Sequence, residues 1–390
     1  MALYSPFLNA QDVEEEKKKD NYSFRGYIKD LRTISFLDLD TISVDNLFHN
    51  RLNFKYYFSD KLSFAIENRN RIFYGESVKA NPNYADLFSG DKGLVDLSFV
   101  PLDKGSLVFH SIIDRLWINY SHEKFDLRIG RQRINWGVNL VWNPNDIFNA
   151  YSFVDFDYEE RPGSDALRFQ FYPNDNSTLE YVFQAGQDFN NFSNALMYKT
   201  NKWNYDFQFF TAYLSRDLIA DDFVFGGAWA GNLKNAGFKG ELSYFIPISN
   251  LTNSPNSILS ASISVDYAFI NSLYFNGSFL YNTAPIVDNT SETNGLLAFY
   301  STDLSAKNLM PSEYSLFLQS SYSFSPIVSS SLSAIYGIDL DLLFVNPLIG
   351  ISIANNWDLS LVGQLVFAPT ETSSFSNQGN GLFIRTKWSF

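Results

Sequence analysis

The chain has 390 residues, 45% of them hydrophobic and 17% aromatic, with a formal net charge of -13, a pI near 4.7 and no cysteine. This balance excludes a disulfide framework, a thiolate metal site and a lipid-modified N-terminal cysteine, and it speaks against nucleic acid as a partner, because phosphate binding rests on a basic footprint. No apolar run approaches the roughly 18 residues that a membrane-spanning helix needs. A membrane protein of this composition must therefore span with strands, which commit half their residues to lipid and keep mean hydropathy mild, here -0.15.

Residues 1–10 (MALYSPFLNA) have the small, apolar ending of a secretory signal but lack its basic start and most of its apolar stretch. They read as a residual signal-peptide-like segment. Residues 11–21, with the run Glu14 to Asp20 of three acids, three lysines and a further acid, read as a flexible periplasmic tether.

From Tyr22 to Phe390, alternating segments of about 10 to 15 residues are joined by short and long connections in turn. Phe48, Leu52, Phe54, Tyr56 and Phe58 share one face, and Leu62, Phe64, Ile66, Ile72 and Tyr74 share the next. Their neighbours Arg51, Asn53, Lys55, Tyr57, Ser63, Glu67, Arg69 and Arg71 fall on the other face, toward water. Short turns are expected at 59–61, 121–123, 173–176, 201–202, 233–235, 270–271, 323–326 and 355–356. Eight such turns, with both termini on the same rim, predict an all-β fold: a transmembrane antiparallel up-and-down β-barrel of about 18 strands, range 16–18, with its N- and C-termini periplasmic.

Three connections exceed hairpin length: 77–106, 138–163 and 285–312. The first and third are rich in Asn, Ser, Gly and Asp and read as solvated loops. The middle one carries Trp142, Pro144, Phe148, Tyr151, Phe153, Phe156 and Tyr158, too many aromatic rings to leave in water, and is expected to fold against the barrel.

The segment Arg128-Ile129-Gly130-Arg131-Gln132-Arg133-Ile134-Asn135-Trp136-Gly137, followed by Trp142-Asn143-Pro144-Asn145-Asp146, resembles the G-R-Q-x-x-x-W/Y-G strand signature of porin-like outer-membrane β-barrels of the alginate-export type. The resemblance implies a channel for anionic or other small solutes and polysaccharides, and it makes Arg128, Arg131 and Arg133 electropositive lumen residues. Strict alternation admits all three only if Gly130 forms a bulge.

Of 29 Lys and Arg residues, only Lys199, Lys202, Arg216, Lys234, Lys239 and Lys307 lie between 173 and 380. Barrel closure sets Arg385 and Lys387 beside Arg25, and the series runs on through Arg51, Lys55, Arg69, Arg71, Arg115, Arg128, Arg131, Arg133 and Arg168. A basic arc is expected on one side of the pore. Asp155, Asp157, Glu159, Glu160 and Asp165 are expected to form an acidic constriction loop that meets it. The alternative is local neutralisation by Glu67, Asp114 or Asp126. Asp155, Asp157 and Glu159 also offer a weak calcium alternative, without the glycine turn of a calcium loop.

The last strand alternates Leu382, Ile384, Thr386, Trp388 and Phe390 with Phe383, Arg385, Lys387 and Ser389. Trp388 and Phe390 read as the C-terminal assembly signal, with the barrel-assembly machinery and outer-membrane lipid as partners. His110-Ser111 is the one adjacent pair of its kind, and its side chains point to opposite faces, so no nucleophile dyad forms there and an enzyme is not expected. No cofactor motif is present. The expected function is an outer-membrane, porin-like channel for passive or facilitated diffusion of small hydrophilic, anionic solutes through a lumen narrowed by the middle loop. The other reading is an accessory barrel with a sealed lumen in an envelope protein complex; a homo-oligomer is compatible with either.

Overall fold

The computed structural model describes residues 20–37, 42–87, 91, 93–150, 163–187, 191–215, 221–248, 256–284, 305–370 and 373–390. In chain order the strands are β1 (Tyr22–Phe36), β2 (Ile42–Tyr57), β3 (Leu62–Gly75), β4 (Ser98–Lys104), β5 (Leu107–His122), β6 (Phe125–Gln132), β7 (Ser164–Asn174), β8 (Ser177–Ala185), β9 (Phe192–Lys202), β10 (Tyr205–Leu214), β11 (Asp221–Leu233), β12 (Ala236–Ile248), β13 (Ile258–Ala268), β14 (Leu273–Asn282), β15 (Tyr314–Ser325), β16 (Val328–Gly337), β17 (Leu342–Ala354), β18 (Trp357–Thr370) and β19 (Ser373–Ser389). All pairings between them are antiparallel, and β1 closes on β19 from Tyr27 opposite Ser389 to Phe36 opposite Asn380. Reciprocal bonds of 3.0 Å between Gly26 and Phe390 seal the seam. A closed cylinder leaves no edge for another strand and no ladder group for hydrocarbon.

Each of the eight expected short turns joins a strand pair, and all lie on the rim that also holds Tyr22 and Phe390. The β9–β10 turn is displaced from 201–202 to Trp203-Asn204, whose φ values of 56° and 62° are those of a two-residue type I′ hairpin. The expected faces of β2 and β3 are the observed ones, with Arg51 opposite Arg69 and Phe54 opposite Ile66.

The outer wall carries Ile129, Phe209, Phe225, Leu318 and Leu332, each about half exposed. In water so much contiguous apolar surface would aggregate. Around a barrel it is the lipid-facing belt. Stacked rings of Trp357 and Trp388, 6.1 Å apart, mark the short-turn end of that belt. No helix among the described residues is long and apolar enough to cross a membrane.

Eighteen strands make the cylinder, and β4 is additional: it pairs only with β5, which also pairs with β3 and β6. This corrects the expectation of a plain solvated loop over 77–106, which also contains a short helix, α1 (Glu76–Ala80), and a 3-10 turn at Tyr84–Leu87. The physical reason lies in β6. It pairs with β5 only as far as Arg131 opposite Leu116, then leaves the wall for the interior. The upper half of β5 would be left with unpaired backbone groups, and β4 takes them, with Ser98 opposite Ile112 and Lys104 opposite Leu107.

Arg131 fastens this repair. Its guanidinium donates to Asp91 (2.5 Å), Asp165 (2.7 and 2.9 Å) and the carbonyls of Val95 (2.7 Å) and Ile113 (3.3 Å). Gly93 passes so close that a Cβ there would sit 2.1 Å from Arg131 Nη2. The loop, β5, β6 and β7 thus meet at one buried cation.

Candidate functional site

Beyond β6, residues 133–150 run without regular secondary structure across the barrel interior. Their sequence explains this: Ile134, Trp136, Val141, Trp142 and Ile147 are all buried, and they find apolar surface on the inward face of the far wall. Ile134, Trp136 and Ile147 pack with Val182, Met197, Phe210 and Phe245. Val141 and Trp142 pack with Leu280, Phe317, Ile335 and Phe344, the Trp142 and Phe317 rings lying 6.3 Å apart, edge to face.

Polar bonds fix the register of this crossing. Glu241 of β12, fully buried, accepts the N–H groups of Val138 (2.5 Å), Asn139 (2.8 Å) and Asn145 (3.0 Å). Asn139 donates to Ser262 (2.6 Å) and accepts from Ser264 (2.7 Å), and Ser243 donates to Asn145 (2.8 Å). Glu180 of β8 binds Trp136 Nε1 at 2.9 Å and holds Arg168 through two bonds of 2.9 Å. Coil in an interior is tolerated only when its backbone groups find partners, and Glu241 supplies three of them at once.

A second segment lies beside the first. Ala306, Leu309, Met310 and Ser312 are buried, Lys307 pairs with Asp222, and Asn282 donates to the Lys307 carbonyl (2.6 Å). The solvated-loop expectation for 285–312 is thereby corrected for 305–312. The described parts of both segments lie against β8 to β18.

This packing accounts for the segregated cations. Inward positions on β8 to β18 that meet these segments are apolar, as at Val182, Ala212, Val224 and Phe317, or acidic, as at Glu180, Asp222 and Glu241. Most of the basic residues lie in the half of the wall made by β1 to β7 and β19, with Lys199, Lys202, Lys234, Lys239 and Lys307 outside it. The described interior is therefore asymmetric, packed on one side and basic on the other.

The expected arc divides in two. Arg51 is 2% exposed and bonded to Asp114 (2.5 Å) and Glu67 (2.6 Å), and Arg69 binds the other Asp114 oxygen at 3.0 Å. A bulge in β5 opposite Glu67 and Asn68 sets Asp114 between these arginines. Arg115 is buried as well and donates to the Asp114 carbonyl (2.8 Å). The charges of Arg51 and Arg69 are locally neutralised.

The other members keep water access. Arg25 and Arg133 are exposed, and Lys55, Arg71, Arg128, Arg168, Arg385 and Lys387 are partly so. Several lie on aromatic rings: Arg128 4.2 Å from the Trp117 centroid, Lys55 4.6 Å from Tyr57, Lys387 4.5 Å from Tyr27 and Arg71 5.3 Å from Phe73. Such stacking orients a cation without neutralising it. Near the short-turn rim, Lys55, Lys61, Ser63, Ser121, Arg128 and Gln170 line a recess of about 280 Å³.

Arg131 leaves the arc. The ladder through β6 has no shift, so Arg128 faces inward and Arg131, three residues on, falls on the opposite face. Gly130 therefore forms no bulge; its φ of +115° and the approach of the Leu116 carbonyl, 2.2 Å from where a Cβ would be, are what require glycine. Asp165 belongs to β7, where it binds Arg131, and not to a constriction loop. Asp155, Asp157, Glu159 and Glu160, with the calcium alternative, lie outside the described residues. The inward segment itself is residues 133–150, held by Glu241, an anchor with no local signature. Trp388 and Phe390 lie on the outward face at the closing seam, their rings 5.1 Å apart.

No protein-family model matches the chain, and no curated protein matches it. Solved structures do. OprD of Pseudomonas aeruginosa is similar with a TM-score of 0.58 at 9% identity, covering 95% of each chain. OccAB3 of Acinetobacter baumannii gives 0.57 at 11% identity over 95% of this chain and 99% of that one, and OccK11 (OpdR) of Pseudomonas aeruginosa gives 0.54 at 10% identity over 95% and 96%. These are porins of the Occ/OprD type, and the alginate-export resemblance finds no support among them. What this chain shares with them is the fold, a closed 18-stranded, multi-pass barrel of the outer-membrane porin type.

Proposed function

We propose that this protein is a bacterial outer-membrane channel for small hydrophilic solutes, with a preference for anions. The observation that carries the reading is the asymmetry of the interior: two inward segments pack against one wall, while Lys55, Arg128, Arg385 and Lys387 on the opposite wall stay partly exposed. Cations held on aromatic rings attract an anion while leaving it free to step to the next. A passage that binds weakly at several points conducts; one that binds tightly at one point does not. In this reading the short-turn rim is periplasmic, the long connections face outward, and Trp388 and Phe390 are what the barrel-assembly machinery recognises.

Planar-bilayer recording tests it. The purified protein is expected to give stable ohmic steps with anions more permeant than cations, and the triple variant Lys55→Gln, Arg128→Gln, Lys387→Gln to bring the permeability ratio toward unity at similar conductance. A silent barrel, refolded and intact, would instead favour a sealed accessory role. A ratio indifferent to the three substitutions would remove the arc from selectivity.

A further inference from the structure

Two cations on the inward wall remain unneutralised. Lys55 Nζ lies 4.6 Å from the Tyr57 centroid and 5.7 Å from that of Trp117, and the Arg128 guanidinium carbon lies 4.2 Å from the same Trp117 ring. Neither takes part in an ion pair among the described residues. Arg128 Nε donates to Asn119 Oδ1 at 2.9 Å, while both of its Nη groups keep their protons for another acceptor. Across the ladder Arg128 stands directly opposite Arg168, and Glu180 gives both of its oxygens to Arg168. Like charges directly opposite one another destabilise a strand pair. The same collision between Arg51 and Arg69 is relieved by Asp114, which binds both; that between Arg128 and Arg168 is relieved on one side only. A fold that holds a bare cation against a like charge sacrifices stability there, which marks a functional position.

Both cations line the recess of about 280 Å³ near the short-turn rim, with Lys61 as a third. The uncharged and acidic groups around them are of two kinds. Ser63 and Ser121 have hydroxyl protons to donate, since Ser121 Oγ only accepts, from Asn119 Nδ2 at 2.8 Å. Asp126 and Gln170 have oxygens to offer, because Tyr172 occupies one carboxylate oxygen (2.6 Å) and Gln170 Nε2 is directed to Glu180 (2.8 Å). A simple anion would meet the cations and be repelled by Asp126. A ligand with an anionic group at one end and hydroxyl groups at the other would engage both kinds. The volume lies just under the roughly 300–1,000 Å³ of small-molecule pockets, so the ligand is a small molecule rather than a polymer.

We propose that this recess is a binding site for a phosphorylated polyol of hexose size. A phosphomonoester carries about -1.5 to -2 charge at pH 7 and three strong acceptor oxygens, which suits the Nη pair of Arg128 together with the Lys55 ammonium. A carboxylate, with two oxygens and a single charge, would satisfy the Arg128 fork and leave Lys55 without a partner. The ligand hydroxyls then donate to Asp126 and Gln170 and accept from Ser63 and Ser121. Lys61, exposed on the turn, draws the anion toward the rim. This rests on the reading of a lumen open to small anions, but binding is measured without current, so the two can fail separately.

Isothermal titration of the full-length barrel in detergent with glucose 6-phosphate is expected to show one saturable site, with gluconate, inorganic phosphate and glucose each weaker by about 10-fold or more, the loss that goes with a missing charge-assisted hydrogen bond. Arg128→Gln and Lys55→Gln should each weaken glucose 6-phosphate by about the same factor. Asp126→Asn removes the repulsion and should narrow the gap between glucose 6-phosphate and inorganic phosphate. Lys234→Asn, in the β11–β12 turn on the same rim, lowers the net charge equally and should leave the affinity within about twofold, since a distant exposed charge is screened. Heat-modifiable gel migration reports folding of each variant. No saturable binding to the folded wild type, gluconate or inorganic phosphate bound as tightly as glucose 6-phosphate, or an equal loss in Lys234→Asn and Arg128→Gln would each overturn the proposal. An anion-selective channel that fails to bind would lose only this site, and a silent barrel that binds would keep it.

Discussion

Replacing Glu241 by alanine should free the inward segment without opening the barrel. Its carboxylate accepts the N–H groups of Val138, Asn139 and Asn145. Leaving a buried donor without a partner costs about 1–3 kcal/mol, so three orphaned groups amount to roughly 3–9 kcal/mol against the pinned conformation. The side-chain bonds of Asn139 and Asn145 to Ser262, Ser264 and Ser243 remain, which places the expected effect at the lower end. About 3 kcal/mol corresponds to roughly a 100-fold change in the opening equilibrium. Hydrogen exchange at residues 138, 139 and 145 should accelerate by about that factor, while the amides of β12 itself, held by the strand ladder, keep their protection. Single-channel recording should show larger and noisier conductance steps from the same population of folded barrels. Unchanged exchange at those three amides, or unchanged conductance with the segment demonstrably released, would refute the assignment of Glu241 as the anchor of a constriction.

Three further outcomes follow from other contacts. Asp114→Asn removes the charge that Arg51 and Arg69 share; with the pair broken, about 3 kcal/mol of stability should be lost and reversal potentials should move further toward anion selectivity, read from denaturant unfolding and from bilayer recordings in a salt gradient. Gly130→Ala puts a Cβ 2.2 Å from the Leu116 carbonyl at a φ of +115°, and should lower the yield of heat-modifiable folded barrel, whereas Gly277→Ala, whose Cβ would meet only Leu318 Cδ2 at an ordinary 3.6 Å, should leave the yield near wild type. Asp339 stands in the turn between β16 and β17; the little burial it has raises its pKa, but bonds from Ser312 Oγ and the N–H groups of Glu313 and Tyr314 outweigh this and hold the carboxyl below its ordinary range. Its contribution is therefore present above the unfolded value near 3.9 and is lost as pH falls through the lower folded value. Exchange at Glu313 and Tyr314 should stay protected at pH 5 and speed up only in strong acid; loss of protection already at pH 5 would contradict the assignment.

Strands that divide lipid from water were readable because both environments leave a mark on every second residue. β2 and β3 are the clearest cases, and their faces are as the alternation placed them. Arg131 shows the opposite difficulty. Alternation alone set it apart from Arg128, but its charge invited a place in the arc, and only the structure brings Asp91 and Asp165 to it from 40 and 34 residues away. β4 was hidden for a similar reason: its Pro101, Asp103 and Lys104 look solvated, and it forms because β6 vacates a place beside β5. Glu241 sits 96 to 103 residues from the amides it binds. Nothing in its neighbours distinguishes it from a pore-lining acid. The aromatic content of the middle connection did announce a buried loop, yet its acids drew attention to a later stretch than the one that Glu241 holds.

The repair of the wall by β4 has a practical side. Surface connections that nothing packs on tolerate insertion, which makes the loop rims of barrels attractive for displaying foreign peptides. The stretch from Asp91 to Lys104 is exempt from that freedom, since it serves as masonry: cutting it would leave half of β5 bare and Arg131 without Asp91. A graft in this region belongs at the Gly105 turn, where the chain leaves β4 and nothing crowds it.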